Sequence, residues 1–283
     1  MQEHKLKGKG WAFLFDGPLE MVDYGEAGYN KAGQWNRTEP KNNSSWTGRK
    51  FENWQGVRDG FATPDEVALQ RIEDMLLALQ DSDIPDVPSR RRQRRYSDVA
   101  GDIDVDRAMS GNPEYMSEVS RVIKNGPTNV TIYCNLDAAF GDSPEKVFWR
   151  GGAAIAAADL LEAAGFATEI WVWCLGRGVY HSPNDMQFHA APIKGINDPI
   201  DYSNLTNTLS SWFLRLAIFN SFYAMTPKCK SMGGPIYTLP HAFKRLIVPD
   251  PHTTHEMMMP NAQTQEEAIA AANSMLQTII ERV

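Results

Sequence analysis

The sequence predicts an α/β protein built in three layers on a mostly parallel sheet, and three features between Asn129 and Leu175 carry that expectation. A short run, Val130-Thr131-Ile132-Tyr133-Cys134, has the branched and aromatic content that suits a pleated surface, and it stops at a polar, acidic turn. An Ala-rich segment follows from about Pro144 to Ala164, with Pro144 suited to a first helical turn and Gly165 to a left-handed stop. Glu169-Ile170-Trp171-Val172-Trp173-Cys174-Leu175 then reads as a buried strand. A helix of that size spans roughly 30 Å at about 1.5 Å per residue, so the two strands are expected as parallel neighbours with a right-handed crossover. Ligands of such sheets bind beyond the carboxyl ends of the strands, which singles out the turn from Asn135 to Ser143.

The turn has neither the Gly-rich spacing of a dinucleotide fingerprint nor the Gly-Lys-Ser/Thr ending of a P-loop. The apolar strand, the acidic turn, a helix ending in Leu160-Leu161-Glu162-Ala163-Ala164-Gly165 and the strand directly after it resemble the start of a von Willebrand factor A-like domain. The likeness runs from about Thr128 to Val283 and is nearest to the intracellular versions that accompany ring-shaped ATPases, as in the cobalt chelatase subunit, and to related bacteriophage and bacterial proteins. It implies a three-layer, Rossmann-like fold and a metal-holding Asp-x-Ser-x-Ser turn. Here the two registers read Asn135-x-Asp137-x-Ala139 and Asp137-x-Ala139-x-Gly141, and both lose the two hydroxyl ligands. No cofactor is therefore expected, a magnesium ion at Asp137 being the one metal candidate. Asn135, Asp137, Asp142, Ser143 and Arg150 are the candidate partner-binding residues, while the plainer reading has Asn135 and Asp137 capping the turn and the helix.

Further elements continue the alternation. Met186 to Ile193 reads as a third strand, Arg245 to Val248 as another, and Tyr202 to Met225 as a long helix with Trp212, Leu216 and Phe219 on one face. Polar residues such as Ser203, Asn207, Ser211 and Arg215 interrupt that helix, so a membrane span is not expected. Thr264 to Arg282 reads as a terminal helix opened by the capping box Thr264-Gln265-Glu266-Glu267. Residues 1–89 are expected to form a loop-rich N-terminal arm, dense in Gly, Asn, Ser, Thr and Trp between 24 and 60. Its one helix starts at Thr63-Pro64-Asp65-Glu66 and ends near Gln80, and its aromatics pack as a lid or offer a binding surface. Residues 90–127 read as a charged connector and 128–283 as the α/β domain.

Composition bounds the function. The chain has 283 residues, 42% of them hydrophobic, enough to bury a substantial core, and a net charge of −7 that argues against whole-surface attraction to nucleic acid. Cys134, Cys174 and Cys229 have no paired spacing, and the run Trp11 to Phe15 is too short for a secretory signal, so a cytoplasmic protein is expected. Arg90, Arg91, Arg92, Arg94 and Arg95 form the sharpest charge block, with Asp98, Asp102, Asp104 and Asp106 close behind. The block either grips nucleic-acid phosphates or pairs with acids as a charged joint. Asp102-x-Asp104-x-Asp106 imitates a calcium loop, but Arg107 stands where glycine is needed and Pro113 where the bidentate glutamate is needed. His252-Thr253-Thr254-His255-Glu256 matches no zinc-protease spacing, and no nucleophile elbow is present. The leading expectation is a non-enzymatic protein-binding or assembly module of bacteriophage type, acting on a protein partner or by self-assembly. A nucleic-acid-binding accessory protein, a virion subunit and a divalent-metal enzyme using Asp137 and Asp142 stay open.

Overall fold

The fold is known from a computed structural model, which describes residues 1–6, 10–32, 38–41, 44–63, 65–79, 92–97, 102–103, 108–110, 116–121, 129–139, 141–177, 186–225, 246–247, 254–260 and 262–280. The chain opens on a hairpin, β1 (Gln2–Leu6) and β2 (Gly10–Leu14), followed by α1 (Pro18–Lys31), α2 (Ser44–Thr47), α3 (Trp54–Asp59) and α4 (Glu66–Leu79). Three short strands come next: β3 (Arg92–Ser97), β4 (Asp102–Ile103) and β5 (Met116–Arg121). Then β6 (Asn129–Asn135), α5 (Pro144–Ala163) and β7 (Ala167–Arg177) form the unit expected from sequence, and β8 (Met186–Lys194) follows. After α6 (Tyr202–Thr208), a π-helical stretch at Phe213–Ile218 leads into α7 (Phe219–Met225), and β9 (Thr254–Met258) and α8 (Gln265–Ile280) close the described chain.

The main sheet has six strands in the order β1-β2-β8-β7-β6-β9. Three of its pairings are parallel, β2 with β8 and β6 with both β7 and β9. The expected parallel pair of β6 and β7 is in register from Asn129 opposite Ala167 to Asn135 opposite Trp173. Strand β8 is antiparallel to β7, because residues 178–185 alone separate them and a parallel return needs a crossover of about a dozen residues or more. On one side of the sheet the helices enclose a core that includes Ile132, Cys134, Ile155, Val172, Phe213 and Met275. Tyr133, Trp173, Leu175, Phe188 and Ile247 pack together on the other. Trp173 is fully buried as a central strand requires, whereas Trp171, expected to be equally buried, is only half-buried.

Residues 1–89 are not a loop-rich arm with one helix. They supply two strands of the main sheet and four helices, and Ala12, Phe13, Leu14 and Phe15 are all buried. Gly25 and Gly28 serve close helix packing rather than turns: a Cβ at Gly28 would lie 1.8 Å from the Asn220 carbonyl oxygen, and one at Gly25 2.8 Å from that of Ala217. Asn220 holds the stretch after α1 by reciprocal bonds, its Nδ2 donating to the Thr38 carbonyl (2.8 Å) and its Oδ1 accepting the Thr38 N–H (3.1 Å). Helix α4 starts at Glu66, two residues later than the expected Thr63 cap and Pro64 first position, with Asp65 accepting the Ala68 N–H at 3.1 Å. The aromatics of this region act as anchors: Phe51 and Phe61 meet the Trp212 ring edge-on at 5.0 and 5.2 Å.

The charged connector also differs from expectation, since β3, β5 and β4 form a separate three-stranded antiparallel sheet. Leu246 and Ile247 are helical rather than part of a strand, and Arg245 and Val248 lie outside the described residues. The sixth strand is instead β9, built around His255 and Glu256, which the sequence presented as a loop. Helix α8 begins as expected, with Thr264 accepting the Glu267 N–H at 3.3 Å, but the Glu267 carboxylate reaches the N–H of Gln263 (2.7 Å) rather than that of the cap.

The strand-end turn and its surroundings

Strand β6 ends where three parallel strands present their carboxyl ends, and the Leu136 N–H extends the ladder by bonding the Trp173 carbonyl at 3.0 Å. The Asn135 side chain accepts the Asp137 N–H at 2.6 Å, an Asx turn that folds Asp137 against β7. Both Asp137 carboxylate oxygens are engaged there: the Cys174 thiol donates to Oδ1 (2.6 Å) and the Leu175 N–H to Oδ2 (3.1 Å). From α5, the Arg150 guanidinium reaches back and donates to the carbonyls of Asn135 (3.0 Å) and Asp137 (2.5 Å). Asn135, Asp137 and Arg150 are all nearly inaccessible, at 3%, 4% and 3% exposure. They frame the turn from inside and do not form its outer surface.

Among the described residues, the outer part consists of Ala138, Ala139, Gly141, Asp142 and Ser143. Asp142 accepts the Ala139 N–H at 2.8 Å, and Ser143 caps α5 by accepting the Lys146 N–H at 3.4 Å. Gly141 and Ser143 are exposed, and a Cβ at Gly141 would meet nothing within 4 Å. Beneath them Arg215, from the π-helical stretch, donates to the carbonyls of Asp142 (2.6 Å) and Trp46 and stacks over the Trp46 ring at 4.6 Å. Burial lowers the Arg215 guanidinium to about 10, with Asp142 opposing that shift, so it stays charged at neutral pH. Gly48, at φ 86°, brings the loop after α2 against Pro144, the first residue of α5. In the sequence Arg215 stood out only as one of the polar residues that interrupt the expected helix from Tyr202 to Met225.

The Asp137 carboxylate is engaged by a thiol and an amide, and the Arg150 guanidinium holds its backbone carbonyl. Among the described residues, no three His, Cys, Asp or Glu side chains gather to hold a metal. Neither described cysteine is an activated thiol: burial pushes Cys134 up to about 12, and burial together with Asp137 raises Cys174 well above the usual range. Arg90, Arg91, Asp98, Asp104, Asp106, Cys229, His181, His241 and His252 lie outside the described residues. Arg92, Arg94 and Arg95 fall on β3, where Arg95 stands opposite Glu118 and Arg92 opposite Arg121.

A serine–histidine contact that sequence spacing did not reveal lies deep in the protein. His189 Nδ1 is 2.9 Å from the Ser221 hydroxyl, which itself donates to the Ile218 carbonyl at 2.8 Å, and His189 Nε2 is 3.4 Å from Gln187 Oε1. Phe13, Phe15 and Phe222 surround the ring, and it is inaccessible to solvent. Burial holds His189 down at about 3, so it is not a base at neutral pH. Because the unfolded chain protonates near 6.5, the folded state loses stability as pH falls from about 6.5 toward 3. Unfolding free energy measured against pH is expected to fall less steeply over that window in His189→Phe than in the wild type.

A protein family described as a domain of unknown function, DUF7192, matches residues 14–281. The chain belongs to this family. No curated protein and no solved structure matches it. The DUF7192 span takes in α1 to α8 and therefore the whole strand-end turn, together with Trp46, Arg150 and Arg215. Strand β1 and all of β2 but its last residue lie outside it.

Proposed function

We propose that this protein is a non-enzymatic protein-binding or assembly module, related to the von Willebrand A-like domains of bacteriophage and bacterial proteins, whose partner engages the face from Ala138 to Ser143. The observation that carries the reading is a turn at the carboxyl ends of parallel strands that is fixed from within by Arg150, Asp137 and Cys174 while its tip stays open to solvent. A preformed surface of this kind loses little conformational freedom on binding. The order β8-β7-β6-β9, with β7 and β8 antiparallel and β6 parallel to both its neighbours, supports the likeness to that fold. Cytoplasmic action fits the reduced thiols of Cys134 and Cys174. No helix among the described residues is long and apolar enough to cross a membrane.

Gly141→Arg tests the proposal, because the position has open space around it and the substitution changes the face without disturbing the interior. The thermal midpoint is expected to stay within the shift of about 0.5 kcal/mol typical of surface substitutions. Proteins that co-purify with the native protein in its own host are expected to be lost from the variant. Retention of the same partners at the same yield would place the contact elsewhere.

A further inference from the structure

The main sheet ends in β1 on one side and β9 on the other, and among the described residues β1 pairs only with β2. Successive residues of a strand turn their N–H and C=O groups to opposite sides, so alternate residues of the five in β1 present them to the open edge, where another strand can take them up. Met1 packs against the helical core at the head of the strand. Gln2, Glu3 and Lys5 are exposed, and the Lys5 ammonium lies 5.2 Å from the centroid of the Trp11 ring across the hairpin. Glu3 and Lys5 share the face of Phe13 and Trp11, which stand opposite them on β2, while His4 lies between them on the other face, opposite Ala12.

We propose that this edge, separate from the strand-end turn, joins two copies of the chain: β1 pairs antiparallel with β1 of a second copy about a two-fold axis at His4, and the two sheets run on as one. The order of the charges selects this occupant. Full overlap of the two strands sets Glu3 opposite Lys5 of the second copy and Lys5 opposite its Glu3, two cross-strand pairs of opposite charge. Both pairs come from one self-complementary sequence, as a two-fold interface requires. Charged residues on an edge strand ordinarily keep other chains away, and in a parallel pairing these would do so, with Glu3 against Glu3 and Lys5 against Lys5. Strand β9 lacks the match, since the same overlap there brings Glu256 against Glu256. Main-chain hydrogen bonds supply the attraction between the copies, and the charges fix direction and register.

Sedimentation velocity over a concentration series tests the edge. The wild type is expected to pass from monomer to dimer as its concentration rises toward millimolar. Glu3→Lys alone and Lys5→Glu alone are each expected to weaken the dimer at least about tenfold, because both pairs then carry like charges, and to melt like the wild type, because both positions are exposed. An equimolar mixture of these two variants is expected to form a mixed dimer, each bringing the charges that the other lacks. The double variant Glu3→Lys/Lys5→Glu, with the net charge of the wild type, is expected to dimerise as tightly as the wild type. Gly141→Arg is also expected to dimerise like the wild type, which separates this edge from the strand-end turn. A wild type that stays monomeric at every concentration would overturn the proposal, and so would a dimer indifferent to the single variants. Failure of the mixture or of the double variant to associate would contradict the antiparallel register and overturn it too, as would loss of the dimer in Gly141→Arg.

Discussion

Replacing Trp173 with alanine is expected to lower the unfolding free energy by roughly 3–5 kcal/mol, the range for removing a buried aromatic side chain. Trp173 is fully buried on the central strand β7, pairs across the sheet with Asn135 and Ala190, and its ring lies 6.0 Å from that of Phe188. Its carbonyl also accepts the Leu136 N–H that starts the strand-end turn. The same change at half-buried Trp171 is expected to cost less, because part of that side chain is already solvated. Chemical denaturation of both variants checks the order, and equal, small losses at the two positions would contradict the central place of β7.

A single methyl group at Gly28 is expected to cost about 3 kcal/mol or more, the upper end of what overpacking does, because the atom it meets is backbone and not a flexible side chain. Helix α1 crosses the π-helical stretch and α7 at Gly25 and Gly28, and the added Cβ at Gly28 would sit 1.8 Å from the Asn220 carbonyl oxygen. Asn220 cannot yield freely, since its side chain holds both backbone groups of Thr38. Gly17→Ala provides the control: nothing lies within 4 Å of its Cβ position, and its φ of 175° is extended backbone open to any residue. Equal melting of Gly28→Ala and Gly17→Ala would contradict the integration of the first 79 residues into the main fold.

The unit β6-α5-β7 was legible in the sequence because each of its parts carries a local signal: branched residues in the strands, Ser143 and Pro144 at the helix start, Gly165 at its end. Strand β8 was legible as a strand but not in direction, which depends on the length of a connection. The role of the N-terminal residues was not legible, because glycine and asparagine that mark turns in one context permit close helix crossing and backbone pairing in another. Strand β9 was hidden because its flanking prolines and its histidine resemble loop chemistry, and only pairing with β6 fixes it. For the site, topology located the turn, but nothing local showed that Asp137 turns inward. That outcome depends on Cys174, thirty-seven residues away, and on Arg150 from the following helix.

The central claim is that the strand-end turn is held by its own side chains and needs no metal. The most direct measurement is the thermal midpoint of the wild-type protein in chelator and again in millimolar magnesium or manganese, beside Asp137→Ala. A ligand bound only by the folded state must raise the midpoint by mass action. The account predicts the same wild-type midpoint in all three solutions, and a lower midpoint in Asp137→Ala because the Cys174 thiol and the Leu175 amide lose their acceptor. A rise with metal in the wild type that disappears in Asp137→Ala would contradict it and give the turn a metal after all.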